Sequence, residues 1–205
     1  MAVEAIVEQS TPDVQHLTQP YPPSWMDHLI ALIERLPGPA WLFYVLLLLA
    51  LILVNNALQW WDGTLPLGTF HRVRITDPFY LVYSLALIHY LNSVALRALE
   101  DFRPAMEIDE LAYARLRYEL TTIPARGGLV TLGIGAILGI LIVSATPADF
   151  GVFAWSSVVT LIFEGVVIAS FGAATLVTLL YHTIRQLHLV SQIHRRATHI
   201  DLFQL

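Results

Sequence analysis

Val45–Val54 reads VLLLLALILV, ten consecutive side chains made of hydrocarbon alone, and this stretch decides the fold class. A helix crosses the hydrocarbon core of a bilayer in about 20 residues. Extended in both directions, the block gives a first span of about Ala40–Leu58. Further runs of the same kind follow at about Phe79–Leu99, Gly128–Ala145 and Phe153–Tyr181. Aromatic residues mark their edges: Trp41, Phe43 and Tyr44, Trp60 and Trp61, Phe79 and Tyr80, Phe153 and Trp155, and Tyr181. Rings with an apolar body and a polar tip favour the headgroup level. The last run is long enough to tilt or to project from the bilayer. The pattern predicts an all-α integral membrane bundle of four transmembrane helices.

Composition supports the same class. Of 205 residues, 56% are hydrophobic and 13% charged, against about 45–50% and about 25% in soluble domains. So little charge leaves too little polar surface for a soluble fold, and disorder or nucleic-acid binding is disfavoured on the same ground. No Cys is present, which excludes disulfides and thiolate chemistry. All 11 basic residues are Arg, so neither a Schiff-base lysine nor a phosphate-loop lysine exists. The stretch Met1–Gln19 is polar and slightly acidic, without the basic and apolar regions of a signal peptide.

Arginine placement predicts the orientation. With the N-terminus cytoplasmic, nine arginines lie inside: Arg35, Arg97, Arg103, Arg115, Arg117, Arg126, Arg185, Arg195 and Arg196. Only two, Arg72 and Arg74, then lie outside, in the loop Asp62–Asp77 that also holds His71. The positive-inside rule gives N-in and C-in, in a cell (inner or plasma) membrane. The chain divides into a cytoplasmic N-terminal segment over 1–39, a four-span membrane domain over 40–182 and a cytoplasmic helical extension over 183–205.

Three amphipathic surface helices are expected. Ser24–Leu36 opens with Ser24 as N-cap and Asp27 three residues on, and carries Trp25, Leu29, Leu32, Ile33 and Leu36 on one face. Pro37-Gly38-Pro39 breaks it, and the helix is expected to lie on the bilayer surface. The second, about Ala105–Thr122, has the stripe Ile108, Leu111, Ala112, Leu116 and Leu120, with Glu107, Glu110, Arg117 and Glu119 largely off it. The third, Thr183–Ile200, continues the fourth span, with Leu189, Ile193, Ala197 and Ile200 opposite His188, Gln192, Arg195 and His199. Arg185, Arg195 and Arg196 are the basic residues expected to meet anionic headgroups.

Between helices in lipid, small residues permit close backbone approach. Thr131, Gly135 and Gly139 recur every four residues in span three; Gly165, Ala169 and Ala173 answer in span four. A tight contact between these spans is expected, across the short loop Thr146–Gly151. The same row would serve as a homodimer face or a docking surface for a partner.

Intramembrane ionisable residues are costly and are functional candidates. His89 lies midway along span two and Glu164 in the outer half of span four, both at roughly 13–15 Å from the outer ends by helical rise. They are expected to meet. Asn92 and Ser93 share the His89 face, Ser157 and Thr160 accompany Glu164, and Asn55 and Asn56 add amides. One reading is a proton or cation site, with Glu164 carrying charge and His89 modulating it. The plainer one is a hydrogen-bonded pair that fixes helix register. A bis-His haem is disfavoured, because His182 is placed about 10 Å or more from His89 along the bundle. The spacings of His182, His188, His194 and His199 do not fit a helical metal site. No metal, cofactor or catalytic constellation is expected.

Arg117-Tyr118-Glu119-Leu120-Thr121-Thr122-Ile123-Pro124-Ala125-Arg126 resembles the entry to the third span in a group of uncharacterised bacterial polytopic membrane proteins. Ala197-Thr198-His199-Ile200-Asp201-Leu202-Phe203 resembles a segment after the fourth span in the same group. The resemblance implies a multi-span bundle and attaches no activity. Members of that group continue past the second segment, whereas this sequence stops at Leu205. The expectation is therefore a non-enzymatic anchor, assembly or sensory module, working through helix packing and its C-terminal helix, with a protein partner or a second copy in the bilayer. The competing expectation is proton- or cation-coupled transport through Glu164 and His89.

Overall fold

The computed structural model describes residues 18–70, 72–106, 108–145 and 158–196, apart from the side chains of 72–74, 105, 161 and 193–196. Expectations for the first 17 residues, His71, Glu107, the loop 146–157 and the stretch beyond 196 lie outside the described residues. So do those for the side chains of Arg72, Arg74, Ile193, His194, Arg195 and Arg196.

All regular structure among the described residues is helical. In chain order the helices are α1 (Trp25–Glu34), α2 (Ala40–Trp61), α3 (Arg72–Phe102), α4 (Glu110–Thr121), α5 (Ala125–Ala145), α6 (Val158–Leu161) and α7 (Phe171–Arg196). A 3₁₀ turn, Arg103–Ala105, follows α3, and a π-helical stretch, Ile162–Ser170, joins α6 to α7. Among the described residues, four helices are long and apolar enough to cross a membrane: Ala40–Trp61, Ile75–Phe102, Ala125–Ala145 and Val158–Gln192. The second begins earlier than the hydropathy run, because α3 continues through Pro78, which lacks the N–H that would bond the carbonyl four residues back.

The bundle exposes apolar side chains and buries its intramembrane polar groups together with an apolar core. Leu46, Leu49 and Leu53 on α2 and Ile137, Ile140 and Leu141 on α5 are exposed. Asn55, Asn56, Gln59, Thr131, Thr160, Glu164, Thr175, Thr178, His182 and Gln186 are buried. A chain solvated by hydrocarbon keeps its polar groups where other protein groups satisfy them.

The end of the bundle at which α2 starts is here called proximal, and the end at Trp61 distal. Helix α1 packs under the proximal end. Its Ser24–Asp27 capping box forms as the spacing predicts, each side chain bonding the other residue's backbone N–H. Met26 and Ile30 are buried, and Trp25, Leu29 and Ile33 pack beside them on the bundle. Only Leu32 and Leu36 of the expected apolar face remain exposed. Gly38, at φ 127°, makes the turn into α2 where an L side chain would be strained.

Helix α4 departs from its predicted face. The helix begins at Glu110, capped by the Asp109 carboxylate, which accepts from the Ala112 N–H at 2.6 Å. Tyr113 and Leu120 are buried against Leu99 with Leu116 beside them, while Ile108 and Leu111 are exposed. The large Tyr113 ring, at i−3 and i−7 from Leu116 and Leu120, sets the buried face instead of the aliphatic stripe.

Helix α5 packs most extensively on α7. Thr131, Gly135 and Gly139 face it, as their spacing predicts. Their partners are shifted: a Cβ on Gly135 would lie 2.2 Å from Ala174 Cα, and one on Gly139 2.4 Å from Ser170 Cα. Thr131 meets Thr178 hydroxyl to hydroxyl at 2.8 Å. Gly165 is buried and the Ala169 carbonyl borders Gly139, but beyond the π-helical stretch the contact row is 170, 174, 178 rather than 169, 173. A π turn holds one more residue than an α turn. Accordingly the Ser170 hydroxyl donates to the Gly165 carbonyl five residues back. The face expected to serve a partner or a homodimer is thus filled by the chain's own fourth span.

Candidate functional site

Two polar centres form, one at each end, and they separate the residues expected to meet. His89 Nδ1 lies 2.9 Å from the Tyr44 hydroxyl and its Nε2 3.4 Å from Glu34 Oε1. Glu164 accepts a hydrogen bond from Gln59 Nε2. Tyr44 and Gln59 are 15 residues apart on one straight helix, about 22 Å by helical rise. His89 is therefore proximal and Glu164 distal. The expected pair does not form, because α3 runs further out than its apolar run and brings His89 down to Tyr44.

At the distal centre, Gln59 Oε1 accepts from the Thr64 hydroxyl at 2.5 Å, which turns the Gln59 NH₂ towards Glu164. Thr160, expected beside Glu164, donates instead to the Asp62 carboxylate. Asn56 is fully buried; its NH₂ donates to the Ile52 carbonyl at 2.8 Å, and its Oδ1 has no partner among the described residues. Glu164 itself is 5% exposed and stands within the π-helical stretch.

The proximal centre is built on a helix end. Pro124 has no N–H, so the Leu120 carbonyl of α4 has no helical donor four residues on. Gln186 Nε2 supplies one at 3.1 Å. The Thr121 carbonyl accepts from Asn92 Nδ2 at 3.1 Å. The Thr122 carbonyl accepts from Arg185 at 2.8 Å and from the Tyr21 hydroxyl at 3.2 Å. Arg185 also donates to Tyr21 and lies over its ring, 5.3 Å from the centroid. A guanidinium is well placed at the negative end of a helix dipole. Tyr118 donates to the Tyr21 carbonyl at 2.7 Å, the Ala125 N–H to Pro22 at 3.0 Å, and the Ile123 N–H to Asp27 at 3.2 Å. The segment 117–126 is therefore the junction at which the N-terminal strap (residues 18–23, ahead of α1), α3, α4 and α7 are tied together.

Asn92 sits at its centre. With its NH₂ given to Thr121, its oxygen accepts from Gln186 Nε2 at 3.1 Å and from His182 Nε2 at 2.6 Å. His182 thus carries its proton on Nε2 and leaves Nδ1 a bare lone pair, fully buried and without a partner among the described residues. Asn92, assigned from sequence to the His89 centre, serves His182 instead. His182 in turn lies closer to the level of His89 than its sequence position implied, since its partner is only three residues from His89.

Burial raises the Asp27 carboxyl above its ordinary range, opposed by the hydrogen bonds from Ser24 and Ile123. Burial also pushes the Tyr21 hydroxyl up to about 12, against the pull of Arg185. Arg185, expected at the lipid surface, points inward here. His188 and Gln192 bond one another on the exposed side of α7 at 2.9 Å. Among the described residues no group of three or more His, Cys, Asp or Glu is placed to hold a metal ion.

Sequence reasoning passed over Gln186, Tyr21 and the inward role of His182. A signal was present: Thr175, Thr178, His182 and Gln186 recur at i, i+3, i+7 and i+11, a polar stripe through an otherwise apolar helix. Compared with protein-family models, curated proteins and solved structures, the chain returns no match.

Proposed function

We propose that the chain is a non-enzymatic membrane module for anchoring, assembly or sensing, whose output passes along α7. The observation that carries this reading is the junction: Arg185, Gln186 and His182 on one helix are all bonded, directly or through Asn92, to the end of α4. Displacement of α4 or the N-terminal strap must then be felt by α7, which runs unbroken from Phe171 in the bundle to Arg196. The arginine bias supports an N-in, C-in orientation in the cell membrane, with the junction and the end of α7 on the cytoplasmic side. The partner is a protein or a second copy that engages α7 beyond the junction. Gln192→Pro breaks α7 below the junction and touches none of its bonds. The expected result is normal insertion and melting, with loss of the chains that co-purify with the gently solubilised wild type. A wild-type particle that is a lone monomer would overturn the reading.

One observation favours a second reading, proton- or cation-coupled transport. Glu164 is a buried carboxyl on a π turn, a backbone irregularity frequent at functional sites. In that case Glu164→Gln, which preserves an acceptor for Gln59, abolishes flux in proteoliposomes while the bundle melts as before. Unchanged flux, or none in the wild type, removes this reading.

A further inference from the structure

A cleft of about 290 Å³ opens between α1, α3 and α4, lined among others by Asp27 and Glu34, by His89 and Asn92, and by Arg117. Its volume is at the lower edge of ligand pockets, which run from about 300 to 1,000 Å³, so its occupant is smaller than a typical drug. Two carboxylates line it against one guanidinium, which favours a ligand with a positive end. Of the carboxylates, Asp27 already accepts from Ser24 and Ile123. Glu34 pairs only with His89 among the described residues, through Oε1 at 3.4 Å, and its second oxygen carries no hydrogen bond there. The Arg117 guanidinium has no hydrogen bond or ion pair among the described residues, unlike its helix neighbour Arg115, which pairs with Glu119 at 2.8 Å.

An open anionic group and an unpaired guanidinium lining one small cleft match a molecule bearing both an ammonium and an oxyanion. Guanidinium takes phosphate oxygens in bidentate fashion. The level of the cleft narrows the class further. His89 bonds Tyr44, four residues into the first span, so the cleft lies about 6 Å from that span's proximal end. The exposed Leu32, Leu36 and Trp41 lie at the same end.

We infer that this cleft binds phosphoethanolamine, as a lipid headgroup or as the free zwitterion, with Glu34 taking the ammonium and Arg117 the phosphate. Asn92 lines the cleft and holds His182 and Gln186, so occupancy bears directly on the grip around α7. That consequence rests on the proposed function above; the binding does not.

The test is calorimetric titration of the full chain in phosphatidylcholine nanodiscs with phosphoethanolamine, and with phosphate and ethanolamine separately. Saturable binding of the zwitterion is expected, at least tenfold tighter than either half. Glu34→Gln and Arg117→Gln should each weaken it at least tenfold, and Arg115→Gln should leave it unchanged. Both altered side chains are exposed, so folding is preserved, and melting checks this. Nanodiscs doped with phosphatidylethanolamine identify the source. Competition with the soluble probe assigns the site to the lipid headgroup, and undiminished probe binding assigns it to the free molecule. Absence of probe binding in phosphatidylcholine nanodiscs overturns the inference, as does equal weakening by Arg115→Gln. If binding holds while Gln192→Pro changes no association, the cleft stands and the α7 reading falls.

Discussion

Pro124 lacks an N–H, and much of the proximal junction follows from that absence. It strands the Leu120 carbonyl, and the end of α4 leaves those of Thr121 and Thr122 without helical donors; each polar group left unpaired in such a low-dielectric setting costs about 1–3 kcal/mol. Side chains from α7, α3 and the N-terminal strap meet them. Tyr21 is the member whose chemistry offers a direct test, because it both accepts from Arg185 and donates to Thr122. Its folded-state value of about 12 stands above the ordinary 10. The folded chain therefore binds this proton more tightly than the unfolded chain between those values. Stability from Tyr21 is complete below about pH 10 and is lost as pH rises towards 12. Thermal melts in detergent across that window should show the wild type losing its advantage over Tyr21→Phe, and a constant difference would refute the assignment. At neutral pH Tyr21→Phe should cost about 1–2 kcal/mol, since Arg185 loses an acceptor. At this scale the sequence was only partly legible. Ser24 and Asp27 declare their cap by spacing, because a capping box is a local structure. Arg185 does not declare its direction, because whether a basic residue faces lipid headgroups or a helix end depends on a segment 63 residues away.

Among the helices, the α5–α7 contact carries the sharpest consequence of sequence. Gly135 and Gly139 have no substitute there, since any Cβ would enter the backbone of the facing helix. Gly139→Ala should destabilise the bundle by about 1–3 kcal/mol, the usual cost of overpacking. Gly133 lies on the same helix, and a methyl group added there would meet nothing within 4 Å. At that position the Gly→Ala change should be neutral, or stabilising by up to about 1 kcal/mol from helix propensity. Reversible unfolding in mixed micelles measures both, and equal effects at the two sites would show that propensity rather than contact decides. The small-residue period identified the two helices that touch, because that period is a property of one face. It did not give the register, because a π-helical stretch advances the face by a residue and nothing in Ile162–Ser170 announces it to a reader counting in fours. Similarly, the α4 stripe was read from aliphatic residues alone, whereas one tyrosine ring outweighs them in buried area.

Taken whole, the molecule places its chemistry by end, and depth is what sequence conveyed least well. A span boundary misplaced by seven residues, as between the expected start at Phe79 and the start of α3 at Arg72, shifts a side chain about 10 Å along the axis, close to half of the about 22 Å by which α2 separates the levels of His89 and Glu164. Sidedness rests on which loops carry arginine rather than on where each helix starts. Arg35, Arg97, Arg103, Arg115, Arg117, Arg126 and Arg185 all belong to the proximal half, the end that holds the junction and the cleft. Translocating that end would require carrying these guanidiniums, Arg185 with its bonds at the junction among them, across hydrocarbon. The proximal face is therefore expected to be cytoplasmic. The chain contains no Cys, so single introduced thiols report without background. Leu67, 88% exposed in the distal loop, and Glu110, at the start of α4, are suitable positions. In intact cells, Leu67→Cys should react with a membrane-impermeant maleimide, and Glu110→Cys should react only after permeabilisation. The opposite pattern would put the junction and the cleft outside the cell, and with them the proposed phosphoethanolamine site.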